Sequence, residues 1–371
     1  MSNIYLEVNL HNLYYNLTKL KNELSNKTMV MGVVKGNAYG HGSIQIAKAL
    51  CNDVDYLGVG VLDEAIELRD NNITSPIFLM GPTNDFETVY NYNITIGVCS
   101  FTQLEELIKW TNENNKNIKY HIKVETGMNR FGIEYEQLDQ VVKLIGNSRY
   151  TKLEGIYSHF ATTYKNNKKY VIDQKTRFDK FVNFFSSQYN NLIYHIANSE
   201  NTIDYKESHY NMVRLGNALY GPCNSKKQIG LKKIANIKAK IIYTKDVKAG
   251  ESIGYGNSYK SKKNMILGIV PIGFYCGMGL IKKPIGSKFF PTIIYYLKEL
   301  YRYLFRSKTV IYYKGKPLEI LGRPNMQYTI VDLSLILKEQ KEQNDIEVDI
   351  KISPIFIKEH IKRTYISEVK G

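Results

Sequence analysis

The chain has 371 residues, of which 43% are hydrophobic and 23% charged, proportions typical of a globular protein with two or three domains. It has no run of eighteen apolar residues, and its first residues lack the basic and apolar regions of a signal peptide, so we expect a cytoplasmic protein without integral membrane contact. The net charge of +15 is spread along the chain without a nucleic-acid-binding signature, so we expect a solvated basic surface and no nucleic acid partner.

The first informative segment is an apolar run at residues 28–34, which predicts a buried strand because it is too short for a helix. The run stops at Lys35, and Gly36, Gly40 and Gly42 then give turn chemistry that brings backbone close to a ligand. Burying an ammonium group is costly. The lysine therefore either extends its charge into solvent or is a neutral, nucleophilic amine that bonds to a carbonyl group. The residues of this segment leave both interpretations open.

Apolar runs alternate with amphipathic stretches from this segment to about residue 220. Roughly eight such strand–helix units predict an α/β fold, a (β/α)8 TIM-type barrel. A doubly wound open sheet is the alternative, but no G-x-G-x-x-G follows any strand, which disfavours a dinucleotide-binding fold. After the first strand, the predicted strands lie at 56–62, 76–81, 95–100, 119–125, 153–160, 192–198 and 212–220, and the predicted helices at 44–50, 63–69, 104–110, 137–145 and 178–185.

Beyond residue 221 the pattern changes to alternating apolar and polar residues separated by glycine-containing turns. This pattern predicts a second, mainly antiparallel β domain. We therefore predict a barrel over residues 1–225 and a C-terminal β domain over 226–371, and the segment 4–10 fits either. The predicted strands of the β domain lie at 234–244, 265–272, 309–313, 328–333 and 346–352.

A basic, aromatic insertion at about 280–308 interrupts the predicted β domain. Its core has helical periodicity, with an apolar face and a basic face. We expect this helix to pack on its own domain, and the alternative is a contact with a partner or a membrane surface. The apolar face comprises Ile293, Leu297, Leu300 and Leu304, and the basic face comprises Lys298, Arg302 and Arg306.

Polar residues follow several predicted barrel strands, at the rim where a barrel binds its ligands. A single histidine at such a place is more often structural, but several polar residues converging on one rim favour an active site. The four cysteines form no C-x-x-C pair, so we expect reduced thiols and no metal site. The rim residues are Lys35, the segment 125–132, Ser158, His159, Asn198, Ser199 and Arg214.

The string V-V-K-G-N-A-Y-G-H-G at residues 33–42 resembles the pyridoxal-phosphate attachment motif of the alanine racemase family. The resemblance implies that Lys35 carries the cofactor covalently and that Tyr39 contacts its phosphate. Further matches extend to about residue 335. Those in the barrel are V-E-T-G-M-N-R-F-G at 124–132, S-H-F-A at 158–161, H-I-A-N-S at 195–199 and M-V-R-L-G-N-A-L-Y-G at 212–221.

These motifs imply roles for the other rim residues. Arg130 would contact the phenolic oxygen of the cofactor and the carboxylate of the substrate. Lys123 matches a lysine that is often carbamylated in relatives, where the new carboxylate orients this arginine. The remaining residues would bind the cofactor: His159 against the pyridine ring, Arg214 at the pyridine nitrogen, and Ser199 with the backbone amides of Gly216 and Asn217 at the phosphate.

In the β domain, S-I-G-Y-G-N-S-Y at 252–259 resembles the segment that holds the second catalytic base of the family, here Tyr255. G-R-P-N-M-Q at 322–327 resembles the loop whose methionine amide binds the substrate carboxylate, here Met326. The resemblance implies racemisation of a small amino acid, with Lys35 and Tyr255 as bases on opposite faces. It also implies a head-to-tail homodimer, because this tyrosine reaches the active site of the partner subunit. Arg214 facing the pyridine nitrogen favours a racemase over a decarboxylase, because arginine stays protonated.

Four positions depart from the family pattern at the substrate end. Phe274 replaces a tyrosine, Cys276 and Gln327 replace acids, and Pro354 lies where a tyrosine is expected. Alanine is the expected substrate. The alternatives are a racemase for serine or another larger amino acid, and a cofactor-binding homologue that has lost turnover.

Overall fold

The computed structural model describes residues 3–279, 289–305, 310–339 and 346–367, which form two compact units. Asn9–Ile234 with Ile366–Gly371 form the first, called the barrel unit below, over their described residues. Met1–Val8 with Ala235–Tyr365 form the second, called the β unit. No helix in the described part of the chain is long and apolar enough to cross a bilayer.

The barrel unit is built on eight parallel strands that follow β1 (Ile4–Asn9) in the chain. They lie side by side in the order β8-β7-β6-β5-β4-β3-β2-β9, and the two end strands also meet. Backbone hydrogen bonds from Asn211 N to Tyr194 O and from Arg214 N to Ala197 O, both 3.1 Å, join them. The predicted barrel is confirmed. Its strands are β2 (Met29–Val33), β3 (Tyr56–Val59), β4 (Ile77–Leu79), β5 (Thr95–Val98), β6 (Ile118–Lys123), β7 (Thr151–Tyr157), β8 (Ile193–His195) and β9 (Met212–Leu215).

Helices of the barrel unit begin shortly after the strands. Polar side chains cap the first turn of several of these helices. Ser100 Oγ, for example, accepts a hydrogen bond of 3.1 Å from Gln103 N, and Asp85 Oδ1 accepts one of 3.0 Å from Thr88 N. Such N-caps satisfy amides that the first helical turn leaves unpaired. The helices are α1 (Leu10–Lys21), α2 (Ser43–Leu50), α3 (Leu62–Asp70), α4 (Phe86–Asn91), α5 (Phe101–Asn114), α6 (Leu138–Gly146), α7 (Lys168–Ser186), α8 (Ser199–Asp204) and α9 (Asn217–Tyr220).

The barrel interior is packed with large side chains from different strands. Met31, Tyr56, Phe78, Tyr157 and Met212 form one buried cluster. Because alternate residues of a strand point to opposite faces, each strand gives this interior every second side chain. The cluster fills the cylinder, and polar side chains also enter it.

The β unit consists of antiparallel strands, as predicted. A six-stranded sheet has the order β16-β15-β18-β10-β1-β19, a three-stranded sheet the order β11-β14-β17, and β12 pairs with β13. β1 pairs with β10, with Leu6 opposite Ile237, so this early segment belongs to the β unit. The strands are β10 (Ala235–Lys240), β11 (Tyr243–Val247), β12 (Ser252–Ile253), β13 (Tyr259–Lys260), β14 (Met265–Val270), β15 (Ile311–Tyr313), β16 (Lys316–Pro317), β17 (Thr329–Asp332), β18 (Glu347–Ile350) and β19 (Lys362–Ile366).

The predicted single strand at 234–244 is wrong, because the chain changes sheets within it. Ile241 N donates to Ile346 O (2.8 Å), beside the six-stranded sheet, whereas Ile242 N donates to Ile269 O (2.9 Å) in the three-stranded sheet. Two consecutive amides therefore point to different sheets, which hydrophobic alternation does not reveal.

Over its described residues, the β unit contains two α-helices. The core of the predicted insertion forms α10 (Phe289–Phe305), whereas the rest of the insertion, residues 280–288 and 306–308, lies outside the described residues. α11 (Ser334–Glu339) follows β17. The predicted packing of the insertion helix on its own domain is wrong for its described apolar face, since Leu297 and Leu300 are 59% and 52% exposed.

Candidate active site

The rim residues of the barrel unit converge at the carboxyl ends of its strands. Lys35 follows β2, His159 follows β7, Ser199 follows β8, and Arg214 lies in β9. The electrostatic environment shows their proximity, since the positive charges of Arg130 and Arg214 both lower the pKa of Lys35. Arg130, Arg214 and His159, from three other segments, thus lie near one amine.

Lys35 opens a left-handed turn. Gly36, Asn37, Ala38 and Tyr39 have φ angles between 51° and 61°, a conformation that disfavours residues with a Cβ. Ala38 N donates to Val34 O (2.7 Å), and the turn ends at Gly40. The turn keeps Lys35 and Tyr39 in a fixed relation.

Glu64 anchors this turn from the next βα loop. Its Oε1 accepts from Gly36 N (2.6 Å), and its Oε2 accepts from Gly60 N (2.7 Å). Lys35 itself is exposed at the rim, yet the surrounding protein removes part of its hydration. This loss of hydration is the main reason that its pKa is lowered, and the negative charge of Glu64 opposes the shift.

Tyr39, Ser199 and Gly216 form a polar cradle. A Cβ on Gly216 would lie 2.5 Å from the Tyr39 hydroxyl, so only glycine lets this phenol approach the backbone. Ser199 Oγ accepts from Gly216 N (2.8 Å) and from Ala218 N (3.4 Å). Burial raises the pKa of Tyr39 to about 12, so its hydroxyl stays protonated and can donate. The side-chain amide of Asn217 donates to Glu200 Oε1 (2.6 Å). Asn217 can therefore offer only its backbone N–H to the cradle.

Arg214 is buried and is held by neutral acceptors. Its NH1 donates to His195 Nδ1 (2.8 Å) and to His195 O (3.2 Å). Its NH2 lies close to Ser158 O (2.7 Å), His159 Nδ1 (3.0 Å) and Ile196 O (3.0 Å). Among the described residues no acceptor pairs with Nε, so the Nε–H is the donor left for a ligand. Burial lowers the pKa of Arg214 to about 10, which still leaves it charged at neutral pH.

Two buried histidines, His121 and His195, and the partly buried His159 surround this arginine and are neutral. Burial, reinforced by the charge of Arg214, lowers the pKa of His121 to about 3 and holds the pKa values of His159 and His195 well below their usual range. Because arginine only donates, His159 Nδ1 and His195 Nδ1 must both be acceptors. His159 therefore carries its proton on Nε2.

Lys123 lies inside the barrel, close to the predicted arginine loop. It is 5% exposed, and its Nζ lies 5.0 Å from the ring centroid of Tyr157. Burial lowers the pKa of Lys123 to about 8, and the charges of Arg214 and Arg130 add to the effect. Near physiological pH this amine is therefore neutral more often than an ordinary lysine.

The loop that carries Arg130 is folded around Glu125. This carboxylate accepts hydrogen bonds from Gly127 N, from Met128 N (2.6 Å) and from Asn129 N (2.9 Å). Three amides on one carboxylate fix the loop, while Arg130 itself stays exposed.

The two predicted site residues of the β unit lie on adjoining loops. Tyr255 is 81% exposed, in a short turn after Gly254, and Met326 is 58% exposed. A Cβ on Gly254 would lie 3.9 Å from the Cα of Gly322, so the Tyr255 turn contacts the start of the 322–327 loop. The β unit thus presents both residues from neighbouring segments.

Comparison with known proteins decides the family. The family model of the alanine racemase N-terminal domain matches residues 8–224, and that of the C-terminal domain matches residues 234–288. The chain belongs to the alanine racemase family. The predicted family and the predicted enzyme class, a racemase, are confirmed.

Relatives and solved structures in the alanine racemase family cover nearly the whole chain. Alanine racemase 2 of Caldanaerobacter subterraneus subsp. tengcongensis is 32% identical over 337 residues, which are 89% of this chain and 81% of the relative. Alanine racemase of Clostridium kluyveri is 32% identical over 305 residues, 78% of each chain. The alanine racemase structure from Clostridium difficile 630 has a TM-score of 0.85 at 27% identity, covering 99% of this chain and 97% of that one. The structure from Bacillus anthracis with bound L-Ala-P has a TM-score of 0.84 at 25% identity, covering 99% and 96%.

The departures from the alanine racemase motifs form one neighbourhood in the β unit. Tyr275 N donates to Met326 O (3.1 Å), which joins the turn at 274–276 to the Met326 loop. A Cβ on Gly277 would lie 2.5 Å from the Cβ of Phe356, which joins the same turn to the turn at Pro354–Phe356. The departures that meet there are Phe274, Cys276, Gln327 and Pro354.

Sequence reasoning missed several residues that shape this alanine racemase site. His121 was missed, although it lies two residues before Lys123 in β6 and so enters the barrel interior with it, a signal that strand alternation offered. His195, at the end of β8, stood in the H-I-A-N-S motif without a role. Glu64 and Glu125 hold backbone loops, a function that no spacing in the sequence reveals.

Proposed function

We propose that this chain interconverts L- and D-alanine, with pyridoxal phosphate attached to Lys35 and with Lys35 and Tyr255 as the two proton-transferring groups. The observation that carries the proposal is the position of Lys35 at the barrel rim, with a lowered pKa, among Arg130, Arg214 and the polar cradle. A lysine whose pKa is lowered offers more of the neutral amine that covalent attachment requires.

The residues of the site fit this cofactor. The hydroxyls of Tyr39 and Ser199 offer donors suited to a phosphate, without a side-chain cation, and the Gly216 amide orients the Ser199 hydroxyl by donating to its oxygen. The remaining N–H of Arg214, on Nε, suits a ring nitrogen that accepts a hydrogen bond. When bound, pyridoxal phosphate withdraws electrons from an attached amino acid and so makes its α-hydrogen acidic.

Racemisation needs an acid and a base on opposite faces of the α-carbon. We assign one face to Lys35 Nζ, whose lowered pKa makes the neutral, proton-accepting amine more available than in an ordinary lysine. We assign the other face to Tyr255 Oη of a partner subunit in a head-to-tail homodimer. The 81% exposure of Tyr255 supports this assignment, since a partner can reach the phenol.

Arg214 supports return of the proton to the same carbon. An arginine remains a donor throughout and cannot pass a proton to a ring nitrogen, so it limits how far negative charge moves into the ring. Short-lived charge at the α-carbon favours immediate reprotonation there. His159, neutral and fixed by Arg214, offers its Nε2–H at the site.

Arg130 and Met326 are the proposed contacts of the substrate carboxylate. We propose that Lys123 is carbamylated, which turns a buried cation near Arg130 into an anion that can orient it. Its pKa of about 8 supports this proposal, because only the neutral amine adds carbon dioxide. Among the described residues, the Met326 N–H makes no hydrogen bond, which leaves it available to a carboxylate.

A second substrate class rests on the departures near Met326. Replacement of acids by Cys276 and Gln327 changes both charge and side-chain chemistry in this neighbourhood. Serine or a larger amino acid is therefore the alternative substrate, and loss of turnover is the alternative to activity.

The test is to incubate the purified protein and pyridoxal phosphate with each L-amino acid and to separate the enantiomers. We expect D-alanine to form fastest, and Lys35→Ala to abolish both turnover and the cofactor absorbance that survives desalting. A faster reaction with L-serine would reassign the substrate. Retention of the pure L-form for every amino acid, with cofactor bound, would leave a binder without turnover and refute the proposal.

A further inference from the structure

Helix α10 begins where the matched part of the family's C-terminal domain ends. The match to the alanine racemase C-terminal domain ends at residue 288, and α10 spans Phe289–Phe305. Its 17 residues make a helix about 26 Å long at 1.5 Å per residue. The position of α10 in the sequence indicates no role in the active site. The chemistry of its exposed surface therefore needs another explanation.

The described side chains of α10 expose a broad apolar face. Ile293, Ile294, Tyr296, Leu297 and Leu300 are between 38% and 59% exposed. At about 100° per residue, these five side chains cover a continuous arc of about 160° around the helix. Among the described elements none packs extensively against α10. A face of this width is normally covered, because exposing it to water is costly.

The net charge of the segment around this apolar face indicates which kind of partner surface binds it. Residues 280–308 carry seven lysines and arginines against the single acid Glu299, a net charge of +6. Lys298 is exposed and follows Leu297 directly, at the edge of the apolar arc. A second copy of the chain would bring two such basic segments together between two chains that each carry a net charge of +15. A negatively charged surface matches the segment, and a second copy does not.

We propose that α10 docks this enzyme on an anionic lipid bilayer, lying in the plane of the membrane. Amphipathic helices with a basic face and Phe or Leu on the other bind at the boundary of headgroups and acyl chains. Seven of the 17 residues of α10 are phenylalanine or tyrosine, residues that favour this boundary. The apolar arc enters the boundary, and Lys298 at its edge meets lipid phosphates. The racemase is then a peripheral membrane protein.

The experiment is flotation of the full-length protein with vesicles of phosphatidylcholine containing about 30% phosphatidylglycerol, and with vesicles of phosphatidylcholine alone. The variant is Leu297→Glu with Leu300→Glu, and the matched control is Leu335→Glu, an exposed leucine of α11 in the same unit. We expect wild type and control to float with the anionic vesicles, and binding by the double variant to fall about tenfold or more. Binding should also weaken with salt and be nearly absent on phosphatidylcholine.

Tryptophan fluorescence tests whether helix α10 itself contacts the membrane. The only tryptophan is Trp110, in the barrel unit, so Tyr296→Trp in a Trp110→Phe background reports α10 alone. Its emission should shift to shorter wavelength with anionic vesicles and stay unchanged with neutral ones. Turnover of the double variant in solution should equal that of wild type, which excludes unfolding as the cause of lost binding.

Four outcomes would overturn the proposal. Wild type that does not float with anionic vesicles removes the bilayer as the occupant. Equal binding to neutral vesicles, or equal binding by the double variant, shows that charge or the apolar arc plays no part. A change of oligomeric state in the double variant, without vesicle binding by wild type, assigns the face to a second copy of the chain.

Discussion

His121 and His195 share a hydrogen bond of 2.9 Å, between Nδ1 of the first and Nε2 of the second, deep in the barrel. His195 Nδ1 in turn accepts from Arg214, so His195 must carry its proton on Nε2 and donate it to His121. His121 then carries its own proton on Nε2, which has no hydrogen-bond partner among the described residues. The proton positions of two histidines thus follow from one arginine.

The first prediction is that this chain of donors stabilises the barrel. His195→Leu should lower the free energy of unfolding by about 3 kcal/mol, because it leaves a buried, charged donor on Arg214 without its acceptor. Urea unfolding measures the change, and His11→Leu, at an exposed histidine of the same unit, should change stability by less than about 0.5 kcal/mol. Equal effects of the two substitutions would show that the contact of His195 with Arg214 does not contribute to the free energy of unfolding.

The second prediction is a loss of stability in mild acid. His121, His159 and His195 stay neutral in the folded barrel, whereas in the unfolded chain each binds a proton near pH 6.5. The unfolded state therefore binds more protons, and stability falls as the pH drops below 6.5. Each histidine contributes a slope of about 1.4 kcal/mol per pH unit, which for His121 continues down to its folded pKa of about 3.

Urea midpoints at pH 7, 6 and 5 measure this dependence. The decrease between pH 6 and pH 5 should be steep, and His121→Phe should reduce the slope by about one proton. A midpoint that is constant from pH 7 to pH 5 would contradict the assignment of three neutral histidines.

The contrast between the strands and this network shows what sequence can predict here. Every barrel strand was located, because a strand buried on both faces reads as an apolar run. Some predicted strands extend beyond the observed strand ends. In the segment 212–220, for example, the strand ends at Leu215, and the apolar residues after it belong to α9. Helix α10 was predicted from periodicity, but its exposure depends on what packs against it.

The same contrast holds for the candidate active site, where motifs reveal some residues and only the folded barrel reveals others. Lys35, Tyr39 and Arg214 stood in recognisable motifs, and motif spacing placed them at one rim. The contact of His121 with His195 joins residues 74 positions apart, and only the closure of the barrel brings them together. The turn of Gly36 to Tyr39 was predicted as a glycine turn, but its left-handed course through Asn37 and Ala38 runs against backbone preference, so the sequence did not indicate it.

The third prediction concerns modification of Lys123 and rests on the proposed function. With 13C-labelled bicarbonate, a carbamate resonance should appear and should be absent in Lys123→Ala, because the pKa of about 8 leaves neutral amine to react. Turnover by Lys123→Ala should fall about tenfold or more, since Arg130 loses its orienting anion. Lys119→Ala is the control, since this exposed lysine of β6 pairs with Glu154 (3.5 Å) and should keep both the resonance and the activity. A wild-type spectrum without the carbamate would refute the modification.

The fourth prediction tests the polar cradle through a single methyl group. Gly216→Ala places a Cβ where it would lie 2.5 Å from the Tyr39 hydroxyl, so the phenol must move away from the backbone. We expect pyridoxal phosphate to bind about tenfold more weakly or worse, because a donor to its phosphate is displaced. Equilibrium dialysis of the cofactor measures the affinity.

The matched control for this substitution is Gly146→Ala, at the end of α6. A Cβ there meets no atom within 4 Å, so cofactor affinity should stay at the wild-type value. Because alanine favours helix more than glycine does, stability should be unchanged or rise by up to about 1 kcal/mol. If Gly216→Ala bound the cofactor as tightly as Gly146→Ala, the phosphate would have to lie elsewhere than between Tyr39 and Ser199. The close approach of Tyr39 to Gly216 would then be a packing contact of the barrel rim.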